Sequence, residues 1–272
     1  MPEGPEIRRA ADKIASVLVG KTIETVEFGL PWLKHHEEML SGSTVVRIET
    51  RGKALLTHFD NGLCIYSHNQ LYGRWWVVRR DKYPNTRRSV RLALDTNDHS
   101  ALLFSASTIE VLDEEGIYNH SFLSKIGPDI LNSELVWRDV AARLLEQRFK
   151  RRSMASLYLD QSFLAGVGNY LRSEILFDAG INPRAKPQEL DRKINNKLAR
   201  STLSISQRAY ETGGITNPPK RVLALKKEGL KRHQFRHAVF GRENKGCYNC
   251  GEEIIKELIS TRRIYWCPLC QY

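Results

Sequence analysis

Cysteine is scarce in this chain of 272 residues: there are five, four of them crowded between positions 247 and 270. So thin and lopsided a supply excludes a secreted disulfide framework. Long apolar runs are missing too. None reaches the ~18 residues that a membrane-spanning helix needs, and the start lacks the basic-then-apolar pattern of a secretory signal. The expectation is a soluble, cytoplasmic protein. No G-x-G-x-x-G or P-loop is present, so no nucleotide cofactor is expected. Acid is in short supply, with 31 Asp and Glu against 42 Lys and Arg for a formal charge of +11. That balance favours a polyanionic partner, nucleic acid ahead of an anionic membrane. What the chain does have is enough apolar residues, 41%, to build a core in one large or two modest domains.

The first six residues, Met-Pro-Glu-Gly-Pro-Glu, carry the sharpest chemistry. With Met1 removed, Pro2 carries a free secondary amine. An α-amino group titrates near pKa ~8, so a useful fraction is nucleophilic at neutral pH. Its attack on an aldehyde-like carbon gives an iminium ion, an electron sink. Glu3 is the next residue and is placed to donate a proton during that attack. A frayed polar tail is the competing interpretation. Against it, Pro5 suits the first turn of a helix, Ile7, Ala11, Ile14 and Leu18 recur at helical spacing, and Gly20 stands where a C-terminal cap belongs.

From Lys21 to about Ile126 the texture is short strands rich in Val, Ile, Thr and aromatics, at Thr22–Phe28, Thr44–Thr50, Ala54–Phe59, Leu63–Tyr66, Trp75–Val78, Val90–Leu94, Ala101–Ser105 and Ile109–Leu112. This pattern suggests a β-sandwich or barrel. Lys53 follows Arg51-Gly52 between two strands and either points into a cleft or is solvated. Gln70-Leu71-Tyr72, closed by Gly73, is a turn whose side chains either fold onto the core or wedge into a base stack.

Gly127-Pro128 marks a boundary, and the residues after it are helical. Helices are expected at Val136–Gln147, Leu157–Leu164, Tyr170–Phe177 (closed by Gly180) and about Asp191–Tyr210. Ala165-Gly166-Val167-Gly168-Asn169 supplies the turns of a helix–two-turns–helix motif and lets a phosphate approach the amides that open the next helix. Asn169 donates to that phosphate, caps the helix, or does both. Glu174 is a weaker candidate for a buried carboxylate. Nine Lys or Arg stand from Lys220 to Lys245, lining a DNA groove or merely forming a solvated helix face. His233 and His237 share a four-residue spacing with no third ligand in view.

Cys247, Cys250, Cys267 and Cys270 form C-x2-C-x16-C-x2-C, the spacing of a four-thiolate zinc ribbon. Four thiolates close the tetrahedron, so one structural Zn2+ is expected. Cys64 lies inside an apolar strand and is expected to be a buried thiol. The ribbon strands would be Glu257–Ser260 and Ile264–Cys267, with Thr261-Arg262-Arg263 as the hairpin tip and either arginine able to fork onto a phosphate.

The N-terminal segment, Asn69-Gln70-Leu71-Tyr72-Gly73, Phe163–Tyr170 and the four cysteines together resemble the DNA glycosylase/lyase family of formamidopyrimidine-DNA glycosylase and endonuclease VIII. The start and the Gln-Leu-Tyr-Gly segment are most similar to its endonuclease VIII branch. The resemblance implies an α+β multi-domain protein: an N-terminal β-sandwich domain with flanking helices at 1–127, a helix–two-turns–helix DNA-binding domain at 134–238 and a zinc ribbon at 239–272. It implies a base-excision-repair glycosylase and AP lyase acting on oxidised pyrimidines in double-stranded DNA. Pro2, Glu3, Lys53 and Arg262 would be catalytic, and Gln70, Leu71, Tyr72, Lys125 and Asn169 would bind DNA. A monomer associated with the nucleoid is expected.

Overall fold

The computed structural model describes residues 2–272, and these divide into two compact units. Pro2 with Glu6–Lys125 makes the first, and Glu3–Pro5 with Ile126–Tyr272 the second.

The first unit opens on α1 (Gly4–Leu18). Ile7, Ala11, Ile14 and Leu18 are all buried, and Gly20 follows at φ +73°. After β1 (Thr25–Phe28) and a single-turn α2 (Glu37–Leu40) come β2 (Val45–Arg51), β3 (Ala54–Phe59), β4 (Cys64–His68), β5 (Arg74–Arg79), β6 (Val90–Asp95), β7 (His99–Phe104) and β8 (Thr108–Leu112). They form two antiparallel four-stranded sheets, β1-β6-β7-β5 and β2-β3-β4-β8. Alternate residues of the two sheets (Leu92, Leu94 and Leu103 from one, Leu55, Ile65 and Ile109 from the other) share a core with the apolar face of α1. Burying that face holds the N-terminus in place, as expected for an apolar stripe of helical period. The sheets have cover outside as well. Leu56, Cys64 and Tyr66 pack under Ile117, Phe122 and Leu123, the first of these from α3 (Glu114–Asn119), whose N-cap Asp113 accepts from the Gly116 N–H.

The second unit contains α4 (Trp137–Leu144), a single-turn α5 (Met154–Leu157), α6 (Asn169–Ala179), α7 (Arg192–Glu211), α8 (Pro219–Lys227), a short α9 (Arg232–Phe235) and the hairpin β9 (Ile255–Ile259) and β10 (Arg262–Trp266). One apolar core joins α4 to α7 and takes in Ile264 of β10.

Two expectations need correction. The helix expected over Leu157–Leu164 ends at Leu157. Beyond it the Asp160 carboxylate accepts from the Ser162 N–H at 2.8 Å, and the Arg143 guanidinium donates to the carbonyls of Ser162 and Phe163, each at 2.6 Å. Local side-chain bonds of this kind compete with the helical ladder. The second correction concerns the ribbon tip, which is Ser260-Thr261, both at positive φ (51° and 64°). This is the conformation of a two-residue hairpin turn matched to strand twist. Arg262 pairs with Ile259 and Arg263 with Leu258, so both arginines are strand residues.

Candidate active site and metal centre

Glu3 is buried, and both its oxygens are occupied. Oε1 accepts from the Tyr170 N–H at 2.8 Å, and Oε2 accepts from Gly168 and Leu171 N–H at 2.8 and 3.1 Å. These amides open α6, where N–H groups lack helical partners and the dipole favours a negative charge. The sequence pointed to a phosphate approaching here; the structure fills these three donors with the chain's own carboxylate. The Gly4 N–H donates to the Gly166 carbonyl at 2.8 Å, tying the N-terminal segment to the glycine loop. The loop is held in turn by Gln161, which accepts from the Gly166 N–H and donates to the Val167 carbonyl. Gly166 sits at φ +101°, and a Cβ on Gly168 would lie 2.4 Å from the Glu3 carboxyl carbon. Both glycines are therefore required. Pro2, the preceding residue, is half-buried. Met1, whose removal would free its amine, lies outside the described residues.

Asn169 is the first residue of α6 and Gly168 is the N-cap, so the Asn169 side chain does not cap the helix. Its Oδ1 accepts from Arg172 Nη2 at 3.4 Å. Sequence reasoning missed Arg172. It is fully buried, donating Nη1 to the Ala155 carbonyl at 2.6 Å and Nη2 to the Arg263 carbonyl at 2.9 Å. Burial pulls the guanidinium down to about 10; the Glu3 carboxylate opposes that shift and the Arg262 charge adds to it. Glu3, Arg172 and Arg262 therefore lie within electrostatic reach of one another. Arg263 enters this group through its backbone carbonyl, and both ribbon arginines have exposed side chains.

In the first unit, Lys53 follows Gly52 (φ +63°) in the two-residue turn joining β2 to β3. Burial, then the Lys53 charge, lowers the pKa of His68 on β4. His68 Nδ1 accepts from the Gln70 N–H at 3.0 Å, so Lys53 and the Gln70 loop share one end of this sheet. Gln70 has φ +49°, and Leu71 and Tyr72 are exposed at 59% and 70%, so neither folds back onto the core. The loop is closed by the Gly73 N–H donating to the Asn69 carbonyl at 2.7 Å and braced by Arg88 Nη1 on the Tyr72 carbonyl at 2.6 Å. Lys125 is exposed where the first unit ends. A cavity of ≈ 850 Å³ over the outer face of β2 and β3, beside Glu49, His58 and Tyr118, is lined by none of these residues.

The four ribbon cysteines bring their sulfurs within 4.8 Å of one another, with pairs at 3.4, 3.5 and 3.9 Å. Bonded sulfurs would be ~2.05 Å apart, whereas four thiolates ~2.3 Å from a zinc ion lie about 3.8 Å apart. The donor set fits a metal and not a disulfide pair. Cys64 is a buried thiol, raised to about 12 by desolvation. The two histidines do not form a pair. His233 is exposed, while His237 is buried against Tyr170 and Phe240, and burial lowers it to about 4. Glu174 is a structural anchor, accepting from the Ala238, Val239 and Phe240 N–H groups, each at 2.8 Å, and from the Thr216 hydroxyl.

This arrangement has known counterparts. Residues 1–107 match the formamidopyrimidine-DNA glycosylase N-terminal domain, and residues 126–219 match the formamidopyrimidine-DNA glycosylase H2TH domain. The chain belongs to the formamidopyrimidine-DNA glycosylase/endonuclease VIII family, whose members are DNA glycosylases with AP-lyase activity in base excision repair. It is 47% identical over 271 residues to endonuclease 8 of Salmonella enteritidis PT4 and 46% identical to that of Salmonella paratyphi A, with full coverage of each chain. The fold matches Lactococcus lactis formamidopyrimidine-DNA glycosylase bound to abasic-site DNA, with TM-score 0.80 and 23% identity over 99% of both chains. A mutant of that enzyme with a formamidopyrimidine lesion in its DNA matches with TM-score 0.81, again at 23% identity and 99% coverage.

Proposed function

We propose that the chain removes oxidised pyrimidines from double-stranded DNA and then cuts the abasic strand, with the Pro2 amine as nucleophile. The observation that carries this reading is the seating of Glu3 at the N-terminus of α6, one residue from that amine. Three N–H donors favour the carboxylate form. Glu3 relays the proton that the attacking Pro2 amine gives up to the deoxyribose ring oxygen, so that the C1′–O4′ bond opens as the C1′–N bond forms. The base then leaves the resulting aminal with its bonding electron pair, and the iminium so formed acidifies the C2′ hydrogen. Loss of that hydrogen expels the 3′ phosphate, and a second elimination expels the 5′ phosphate. Lys53 serves in proton transfer, and Arg262 holds a phosphate. Gln70, Leu71 and Tyr72 fill the space of the extruded base, a role supported by their exposure. Lys125 and Asn169 contact the backbone. The four cysteines would hold a zinc ion, which would supply a structural clamp for the hairpin that carries Arg262. The protein acts as a cytoplasmic, DNA-associated monomer, with 239–272 as its zinc ribbon.

The test is Glu3→Gln. It should abolish excision of thymine glycol while leaving measurable cutting at preformed abasic sites, because an abasic sugar opens without help and needs only the amine. Equal loss of both activities contradicts the relay. Excision of 8-oxoguanine in preference to thymine glycol moves the substrate class to purines.

A further inference from the structure

The first three turns of α7 carry a charge pattern that the glycosylase site does not use. Arg192, Lys193, Lys197 and Arg200 are all exposed, and with Asn196 they line a cleft of ≈ 500 Å³. At ~100° per residue these five positions fall within about 140° of one helix face, and at 1.5 Å per residue they span about 12 Å along the axis. None of the four cations has an ion-pair partner among the described residues. Within the helix no acid stands before Glu211, and the one acid at its start, the N-cap Asp191, accepts from the Ile194 N–H at 2.7 Å. A merely solvated face interleaves both signs and gains from i,i+4 pairs of opposite charge. Here Lys193 and Lys197 stand four apart with like charge, and Arg192 and Lys193 oppose the dipole in the first turn. The pattern weakens the helix, so its benefit lies outside folding.

The stripe continues onto α4. Arg200 stacks over the Trp137 ring at 3.7 Å, and Arg138 covers the same ring at 4.8 Å. Stacking fixes a guanidinium plane and leaves its N–H edges free to fork onto phosphate oxygens. A Cβ on Gly180 would lie 3.6 Å from Lys197 Nζ, which sets the stripe at the C-terminal end of α6. Glu3 sits at the opposite end, about 16 Å away for 11 residues of helix.

We propose that this face of α7 is a second binding surface for duplex DNA, reading phosphates and not bases. A strand presents one charge per ~3.4 Å of duplex axis, so ~12 Å of helix faces three to four phosphates, as many as the cations α7 offers. A molecule with one duplex at Glu3 could then hold another segment and pass between segments.

The test counts duplexes per chain by sedimentation, using a short undamaged 12-base-pair duplex at low salt. This readout needs no lyase chemistry, so it stands even if the Pro2 mechanism fails. The full-length protein should bind two duplexes. The variant R192Q/K193Q/K197Q/R200Q should bind one, and single substitutions should each reduce the salt slope of the second site by about 0.9. Excision on a short lesion duplex should be unchanged. Circular dichroism and zinc content check that the variant is folded, and charge-retaining R192K, which leaves the stacked Arg200 in place, should keep the second site. One duplex per chain in both proteins overturns the proposal, as does a second site indifferent to the substitutions. Weaker excision in proportion to the charge lost would assign the stripe to the first duplex and overturn it as well.

Discussion

Gly168 has no room for a methyl group. Its Cβ would fall inside the Glu3 carboxyl, and the obstacle is a carboxylate pinned by three backbone donors. Gly168→Ala should cost ~1–3 kcal/mol of stability through overpacking. Displacing a reacting group by ~1 Å costs about 100-fold in rate, so kcat/KM for base excision should drop by at least that factor while the protein stays folded. Near-normal excision would mean that Glu3 works from another position. His237 offers a second residue-scale test. Burial holds its folded pKa near 4, below the ordinary value of 6.5. Its contribution is therefore fully present above pH ~6.5 and is lost as pH falls toward 4, amounting to roughly 3 kcal/mol across that window. His237→Phe should flatten stability against pH between 4 and 6.5 in urea titrations; an unchanged slope would assign the acid sensitivity to other groups. Neither role was legible in the sequence. The Gly168 constraint needs Glu3, 165 positions away, and His237 showed only a suggestive spacing. Arg172 was invisible for the same reason: its partners come from α5, α6 and the ribbon.

At the scale of elements, periodicity revealed most of the architecture. All eight strands of the sandwich were found within a few residues, since β-branched runs between turn residues suit a sheet buried on both faces. Helix α1 was marked by Ile7, Ala11, Ile14 and Leu18. The polar, weakly patterned α3 was not, and the basic α8 figured only as one reading of its segment, a solvated helix face. Leu157–Leu164 misled because an apolar run reads as helix, whereas Asp160 and Arg143 bind the backbone into turns. The ribbon hairpin was legible, but its tip was shifted, because Ser260-Thr261 adopts positive φ without a glycine to announce it. That shift sharpens one prediction. As neighbours on a strand, Arg262 and Arg263 point to opposite faces, and the Arg262 charge reaches Arg172. Arg262→Ala should slow strand cutting on duplex DNA by ~10–100-fold, the worth of a charged phosphate contact, and Arg263→Ala should do much less. The reverse order in single-turnover rates would transfer the role to Arg263.

For the whole molecule, the basic charge favours a polyanion, and the four clustered thiols and the glycine loop suit a DNA-handling protein through the family resemblance. Only the structure seats Glu3 at a helix N-terminus and leaves the Gln70 loop exposed. A passive zinc-ribbon DNA binder would need the charge and the thiols but would have no evident use for a carboxylate held by three backbone amides one residue from Pro2. The most direct test is borohydride reduction of the protein mixed with abasic duplex DNA, followed by mass spectrometry of the cross-linked peptide. A covalent adduct on the nitrogen of Pro2, with Met1 absent, is the predicted result. An adduct on Lys53 or another side chain, or fully active protein that retains Met1, would contradict the account.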